Sequence, residues 1–233
     1  MNTLLHIDTS ARSLSPETNR SPSISRTLAQ RFLSQWQDTL PETRIIYRDL
    51  ATHPVDLIDQ NWIEAAFTSE EKRTPTQMSI LSTSNELIDE VIQSDIILLS
   101  TPMYNYGMPA TLKAWFDQVI RVNKTFSFDL SRGDSPLKPI LSGKRLVLIT
   151  SCGEFGFELG GLREKMDHLH PHIKTLSHYL GVENMHAIRA EYQEFNDERH
   201  QISIVHAYKE ISHLVNRLTR QPSLGSVNVP DNG

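Results

Sequence analysis

The sequence predicts an α/β fold in which a doubly wound, parallel sheet of five strands carries helices on both faces. Short segments rich in β-branched residues and Leu alternate with longer segments whose apolar residues recur at helical spacing. The most apolar stretch, SDIILLS at 94–100, is a continuous run, which is typical of a central strand covered on both sides. The chain has 233 residues, 38% hydrophobic and 22% charged, so it suits one soluble domain with a full core.

The first half of the chain contains three predicted strands: TLLHID (3–8), RIIYRDL (44–50) and DIILLSTP (95–102). Two further segments place apolar residues on one helical face: SISRTLAQRFLSQW (23–36) and LSTSNELIDEVIQ (81–93). On the second of these helices, Ile92 is expected to face inward together with Leu87 and Val91. Residues 51–76 show neither the helical nor the strand pattern of apolar residues, and they are expected to form an irregular surface excursion.

The second half continues the alternation with two more predicted strands: KRLVLITSCG (144–153) and ENMHAIRAEY (183–192). Three helices are predicted around them: PATLKAWFDQVIRV (109–122), GLREKMDHLHPHIKTLSHYLG (161–181) and about 197–219. Pro109 suits the first turn of its helix, since proline has no amide hydrogen to lose there. Val205 is expected on the inward face of the last helix.

A series this short favours the flavodoxin-like doubly wound type over a two-halved dinucleotide fold or a barrel of eight units. We expect residues 1–219 to form a single domain. Residues 220–233, RQPSLGSVNVPDNG, have no apolar period and are expected to be a loose tail.

Composition excludes several classes of function. The net charge is −5, the pI about 6.0, and Lys and Arg are dispersed, so no nucleic-acid surface is expected. No run approaches the roughly 20 apolar residues that a membrane span needs, and no basic region precedes LLHI, so a signal peptide is not expected. The single cysteine, Cys152, excludes an internal disulfide and suits a reducing cytoplasm. The histidines of 167–178 are expected on a solvated helix face, and no metal site is expected.

In an open parallel sheet, ligands bind beyond the carboxyl ends of the strands. The first such end is followed by TSARSLSPETNRSPSIS, which is rich in hydroxyls, contains Arg12 and Arg20, and leads into a helix near Ser23. Hydroxyl donors and the free N–H groups of a helix N-terminus together make an anion site. Serine is also an ordinary N-cap and loop residue, so the first loop alone does not predict an anion site, and the prediction depends on the other two strand ends.

The second strand end is TPMYNYG (101–107), which has the composition of a poor turn and a poor strand. Two aromatics, a thioether and an amide would instead make a wall for a flat, partly polar ring, and Pro102 and Pro109 would stiffen it. A hydrophobic plug over the sheet is the alternative. The third end is SCGEFGFELGG (151–161), whose glycines allow close backbone approach or simply a flexible connection.

Several motifs together resemble the FMN-dependent NADH:quinone oxidoreductase/azoreductase family, over about residues 3–218 and in the same order. They are the S-x-S of Ser23–Ser25, PMYNY at 102–106, PATLKAWFDQV at 109–119, KTFSF at 124–128 and SGK at 142–144. The resemblance implies a flavodoxin-like, cytoplasmic homodimer that binds FMN across the three strand ends.

The resemblance also implies the roles of individual residues. The phosphate would be held by Ser10, Ser23, Ile24 and Ser25. The isoalloxazine would be lined on one side by Pro102, Met103, Tyr104, Asn105 and Tyr106, and on the other by Ser151, Cys152, Gly153 and Glu154. The substrate pocket would be formed by Tyr106, Phe126 and Phe128. No catalytic side chain is implied, because the hydride chemistry belongs to FMN.

The implied activity is a two-electron, ping-pong reduction of quinones to hydroquinones, of azo compounds to amines, or of both, with NADH or NADPH as the donor. A flavodoxin-type electron carrier without NAD(P)H oxidation is the alternative, although such carriers have a glycine in the phosphate loop and a strongly acidic surface. Two features depart from the family. Glu154 stands where relatives often have a second glycine, and its charge would repel that of a reduced flavin. The first loop is long, and Arg12 or Arg20 is a candidate for a further phosphate contact.

Overall fold

A computed structural model describes residues 3–14 and 21–220 of the chain. Arg20 and nearly all of the expected tail lie outside these residues. The described residues form seven strands: β1 (Thr3–Asp8), β2 (Arg44–Asp49), β3 (Ile96–Pro102), β4 (Phe126–Phe128), β5 (Leu137–Pro139), β6 (Lys144–Ser151) and β7 (Val182–Ala190). They also form seven α-helices: α1 (Ile24–Thr39), α2 (Gln60–Phe67), α3 (Pro75–Ile80), α4 (Ser82–Gln93), α5 (Ala110–Val119), α6 (His170–Ser177) and α7 (Glu198–Thr219).

Five strands form one sheet in the order β2-β1-β3-β6-β7, with every neighbouring pair parallel. The predicted doubly wound sheet is therefore confirmed. The chain first moves outward from β1 to β2 and then continues from β3 on the other side of β1, so the switch point lies between β1 and β3. Ligand clefts of this architecture open at the carboxyl ends of the strands beside that point.

The core has two layers, one on each face of the sheet. On one face, Leu28 and Phe32 of α1 pack with α7 residues against β3, which supplies Leu98. On the other face, helices α4, α5 and α6 cover the strands, and β3 supplies Leu99. All seven residues of β3 are buried, as its continuous apolar run predicts. Among the described residues, no helix is long and apolar enough to cross a membrane.

Three local predictions were wrong. The helix expected over 161–181 is reduced to α6, flanked by 3₁₀ turns at Glu164–Met166 and His178–Leu180. Pro171 has no N–H to donate to the Asp167 carbonyl, so a helix that runs through it from the N-terminal side is disfavoured, and the Asp167 side chain accepts instead from the N–H groups of Leu169 (3.0 Å) and His170 (2.9 Å) at the new start. His168 consequently lies before the helix rather than on its face.

The segment 51–76 is not irregular throughout, because it contains α2 and the start of α3. Each is too short to display a helical period in sequence, and each begins at a side-chain cap: Asp59 accepts from the Trp62 N–H (2.8 Å), and Thr74 and Gln77 form a capping box. Ile92 and Val205, both expected to face inward, are exposed. Each lies at the edge of its helix's apolar stripe, where the spacing alone does not decide burial.

A buried lysine gives the fold a measurable pH dependence. Lys144 is 2% exposed, and its Nζ donates to the carbonyl oxygens of Ile92 (3.1 Å) and Ser94 (2.6 Å). Burial lowers the Lys144 pKa to about 8 from 10.5, and the charge of Asp95 offsets this only in part. Between these two values, the unfolded chain holds a proton that the folded chain has released, so this group makes the fold more stable as pH rises.

Replacing Lys144 with Met is expected to remove that contribution. The unfolding free energy of the wild type minus that of the variant should increase from pH 8 to pH 10.5 by on the order of 3 kcal/mol. Urea unfolding at several pH values measures the difference, and Lys138→Met is a matched control because Lys138 is exposed. A difference that stays constant across this range would contradict the assignment.

Candidate functional site

The carboxyl ends of β1, β3 and β6 converge on one cleft. Backbone hydrogen bonds hold the strand ends level: the Thr9 N–H donates to Ser100 O (3.1 Å) and the Met103 N–H to Ser151 O (2.9 Å). The residues that line the cleft are Ser10, Arg12, Ser23, Ile24, Pro102, Met103, Tyr104, Ser151, Gly153, Gln193 and Glu194. The structure thus brings all three loops singled out in the sequence to one place, as the parallel topology requires.

The first loop ends at the N-terminus of α1, which faces the cleft. Ser23 is the N-cap, and its Oγ accepts from the Arg26 N–H (3.3 Å) while its carbonyl accepts from the Thr27 N–H (3.0 Å). In the part of the chain that the structure describes, no acceptor serves the N–H groups of Ile24 and Ser25. Ser25 is fully buried, with its Oγ 3.3 Å from that of Ser23, so it lies behind the cleft wall rather than in it.

The second loop is a tight turn, contrary to the expectation that its composition suits turns poorly. Tyr104 and Gly107 exchange two backbone hydrogen bonds of 3.0 Å each, and the two central residues have positive φ angles, 49° at Asn105 and 65° at Tyr106. Positive φ at both positions defines the type I′ turn, which asparagine adopts readily and tyrosine does not. Strain at such a residue costs on the order of 1 kcal/mol and marks a backbone shape that the surroundings enforce.

Tyr104 also joins the second loop to the first, because its hydroxyl accepts a hydrogen bond of 3.3 Å from the Ala11 N–H. The third loop is fixed from the other side. The Cys152 N–H donates to Ala190 O (2.8 Å), and a Cβ built on Gly153 would lie 2.6 Å from Cγ of Glu194. Only glycine therefore fits at position 153 without displacing Glu194. Burial raises the Cys152 pKa to about 12, so this residue presents backbone and a neutral thiol.

Glu154 has two partners that compensate its charge. Its Oε2 accepts from the Tyr106 hydroxyl (2.9 Å), and its Oε1 lies 3.1 Å from a guanidinium nitrogen of Arg163. The hydrogen bond to Glu154 and the negative charge of its carboxylate raise the Tyr106 pKa. The Glu154 charge, which the sequence predicted to repel a reduced flavin, is therefore paired with Arg163. The hydrogen bond from Tyr106 connects the second loop to the third.

A fourth loop, which no sequence pattern indicated, also contributes to the cleft. Gln193 and Glu194, which follow β7, line the cleft, and Glu194 N–H donates to Gly153 O (3.1 Å). Neither residue belongs to a motif, but β7 is parallel to β6 and adjacent to it, so its carboxyl end must lie at the same edge. The position of β7 beside β6 was therefore the feature that could have indicated this loop.

A buried ionic cluster, which no sequence pattern indicated, lies beneath the first loop. The Arg26 guanidinium binds both carboxylate oxygens of Asp49 (2.8 Å each), one of Asp8 (3.1 Å) and the carbonyl of Ser10 (2.9 Å). Burial alone would raise the pKa of Asp49, but the hydrogen bonds and charge of Arg26, with the N–H of Ala51, lower it to about 2. The pKa of Asp8 is likewise lowered against its burial, first by His6 and then by Ser100 and Arg26.

The remaining predicted residues lie away from this cleft or at its margin. Asn105, Tyr106 and Glu154 flank it without lining it. The Phe126 ring packs edge-on against Tyr179, 5.7 Å away, and Phe128 is exposed; neither lines the cleft of its own chain. Among the described residues, no cluster of three or more His, Cys, Asp or Glu side chains could hold a metal ion.

Comparison with known proteins agrees with this architecture. Residues 2–215 match the family described as having a flavodoxin-like fold. The chain is 56% identical over 218 residues to the FMN-dependent NADH:quinone oxidoreductase 2 of Colwellia psychrerythraea. The alignment covers 94% of this chain and 100% of that protein. It is 54% identical over 219 residues to the protein of the same name from Idiomarina loihiensis, and this alignment covers 94% of this chain and 91% of that protein.

Among solved structures, the chain resembles an FMN-dependent NADH-azoreductase from Bacillus anthracis in complex with FMN. The TM-score is 0.79 over 94% of this chain and 100% of that one, at 19% sequence identity. At that identity, the likeness concerns the fold.

Proposed function

The chain belongs to the FMN-dependent NADH:quinone oxidoreductases, a family with the flavodoxin-like fold, and we propose that FMN occupies the cleft between the ends of β1, β3 and β6. The protein is an oxidoreductase that uses FMN and NADH. The identity of 56% over 218 residues is the observation that carries this conclusion, and it favours the enzyme over the electron carrier considered above.

The first loop and α1 fit the phosphate of FMN. The N–H groups of Ile24 and Ser25 have no acceptor in the described part of the chain, and they lie at the N-terminus of α1, which is the positive end of the helix dipole. Ser10 and Ser23 bring hydroxyls to the same wall, and Arg12 adds a charged side chain there. We assign the phosphate to these groups, with Ser25 supporting Ser23 from behind. Arg20 lies outside the described residues and has no part in the assignment.

The second and third loops fit the isoalloxazine ring. Pro102, Met103 and Tyr104 offer one wall, which the Tyr104–Gly107 turn stiffens, and Gly153 allows the third loop to approach closely. FMN supplies two-electron exchange between NADH and the acceptor, and the protein supplies position and charge. Pairing with Arg163 keeps Glu154 from opposing negative charge at its end of the ring. We assign no catalytic side chain.

The acceptor pocket is completed in our proposal by a second copy of the chain. The β4–β5 hairpin exposes three large apolar side chains: Phe128 (53%), Leu130 (75%) and Leu137 (45%). Several exposed apolar side chains on so short a hairpin are typical of an interaction surface. Phe67 at the end of α2 is also 75% exposed. A homodimer would cover these side chains and place Phe126 and Phe128 over the partner's cleft. Quinones, and also azo compounds, would bind there as flat acceptors in the cytoplasm.

An absorption spectrum of freshly purified protein tests the cofactor, followed by anaerobic addition of NADH and then a benzoquinone. We expect flavin bands that bleach with NADH and return with the quinone, at rates that support turnover. Colourless protein that refuses added FMN would contradict the proposal, and bands that NADH does not bleach would favour the carrier.

Sedimentation equilibrium tests the assembly. The wild type should be a dimer, and Phe128→Asp should shift it toward monomer and weaken acceptor turnover while retaining FMN. A monomeric wild type with full activity would overturn the shared pocket.

A further inference from the structure

We infer that Arg26, which does not line the cleft, is the positioning residue that gives the site its preference for a phosphorylated flavin. The inference rests on the proposed FMN site and adds to it the residue that governs affinity for the phosphate. Arg26 lies in the first turn of α1, one residue beyond Ser25, and is 7% exposed.

The guanidinium of Arg26 fixes the Ser10 half of the phosphate wall. One guanidinium nitrogen holds the Ser10 carbonyl (2.9 Å), so the backbone turn that presents the Ser10 hydroxyl cannot move outward. The backbone N–H of Arg26 is the group that the Ser23 side chain caps (3.3 Å). That second contact is made by the main chain and does not depend on the side chain at position 26, so the guanidinium acts on the phosphate wall through Ser10.

The cluster also has an electrostatic consequence for an anion in the cleft. Asp8 and Asp49 end β1 and β2, and both have lowered pKa values, so both are ionised at neutral pH. Asp8 is two residues from Ser10. Arg26 pairs with both carboxylates and neutralises one of their two charges. Without it, two carboxylates would oppose a dianionic phosphate at short range in a poorly solvated place.

Both effects act on the phosphate and neither acts on the ring. Riboflavin, which has the ring and ribityl chain but no phosphate, should therefore bind equally well with or without Arg26. This separates a positioning role from a general structural one, because a loosened fold would weaken both ligands.

The test measures dissociation constants of FMN and riboflavin for apoprotein of the wild type, Arg26→Met and Arg26→Lys, by quenching of flavin fluorescence. Charge-assisted hydrogen bonds of this kind are worth about 1.5–3 kcal/mol, so we expect Arg26→Met to weaken FMN by about 10- to 100-fold. Riboflavin should change by less than about twofold, and Arg26→Lys should recover part of the loss because it restores the charge.

Arg48→Met is the matched control, since Arg48 also pairs with two carboxylates, those of Glu86 and Glu90, away from the cleft. It should leave both dissociation constants unchanged. Asp49→Asn is the second variant, and it removes the ion pair while keeping the guanidinium. It should keep the FMN-to-riboflavin affinity ratio of the wild type or raise it, because it removes one of the two carboxylate charges and leaves Arg26 paired with Asp8 and hydrogen-bonded to the Ser10 carbonyl.

Equal weakening of both flavins in Arg26→Met would overturn the inference, as would an FMN affinity that Arg26→Met leaves unchanged, or an FMN-to-riboflavin affinity ratio that Asp49→Asn lowers. Failure of the proposed function looks different: there, the wild type itself binds FMN no better than riboflavin, or binds neither.

Discussion

Replacing Ser23 with Asp is expected to abolish tight FMN binding while leaving the apoprotein as stable as before. Aspartate caps a helix as well as serine does and adds a favourable charge at the positive end of the α1 dipole. The same charge would face the phosphate of FMN. Two unit charges 4 Å apart at a protein surface interact by about 4 kcal/mol, so FMN affinity should fall by at least about 100-fold.

Ser23→Asn isolates the charge, because asparagine has nearly the same shape as aspartate and is also a good N-cap. It should weaken FMN by no more than about tenfold. Flavin titration gives the affinities, and thermal unfolding of the apoproteins gives the stabilities. If the Asp and Asn variants lose FMN to the same extent, or if the Asp variant loses riboflavin equally, then Ser23 does not face the phosphate.

Replacing Gly181 with Ala should produce the largest loss of stability among the glycine positions considered. Gly181 ends the 3₁₀ turn before β7 with φ at 80°, and a Cβ there would lie 2.6 Å from both Leu141 C and Ser142 N. These are backbone atoms just before β6, so they cannot rotate away. Left-handed strain of about 1–2 kcal/mol and overpacking of about 1–3 kcal/mol together predict a loss of about 2–5 kcal/mol.

The loss should appear as a melting temperature lower by roughly 5–15 °C for a chain of this length. Gly160→Ala is the matched control, since Gly160 has φ at 79° but nothing lies within 4 Å of its added Cβ. It should cost only the strain of about 1–2 kcal/mol. Equal effects at the two positions would show that the backbone contact at Gly181 relaxes without cost.

The sheet was predictable because its signals are local and redundant. The inner strands β1, β3 and β6 are dominated by apolar residues, the edge strands β2 and β7 are more polar, and β3 is recognisable as central from its unbroken IILL run. The helices α1, α4, α5 and α7 each display several turns of one apolar stripe. In contrast, α2, α3 and α6 have only six to eight residues each, and Pro171 broke a pattern that predicted one long helix. Short elements depend on caps and tertiary contacts, which carry little periodicity.

The site was predictable only in part for a similar reason. Ser10 and residues 102–104 lie at or just beyond strand ends, and Ser23 begins the helix that follows the first loop, so topology alone brings them together. The pairing of Glu154 with Arg163 joins residues of one loop whose path no pattern specifies. Arg26 reads in sequence as an ordinary polar residue of an amphipathic helix. Its burial follows from Asp8 and Asp49 ending adjacent strands, a contact between three separate segments.

The lone thiol has a chemical consequence for an enzyme of this class. Quinones are electrophiles that alkylate cysteine, and the attacking species is the thiolate. Cys152 is 1% exposed and its pKa is raised to about 12, so at neutral pH almost none of it is ionised or within reach of solvent. The chain has no other cysteine. The catalyst is therefore built to resist arylation by the compounds that it turns over.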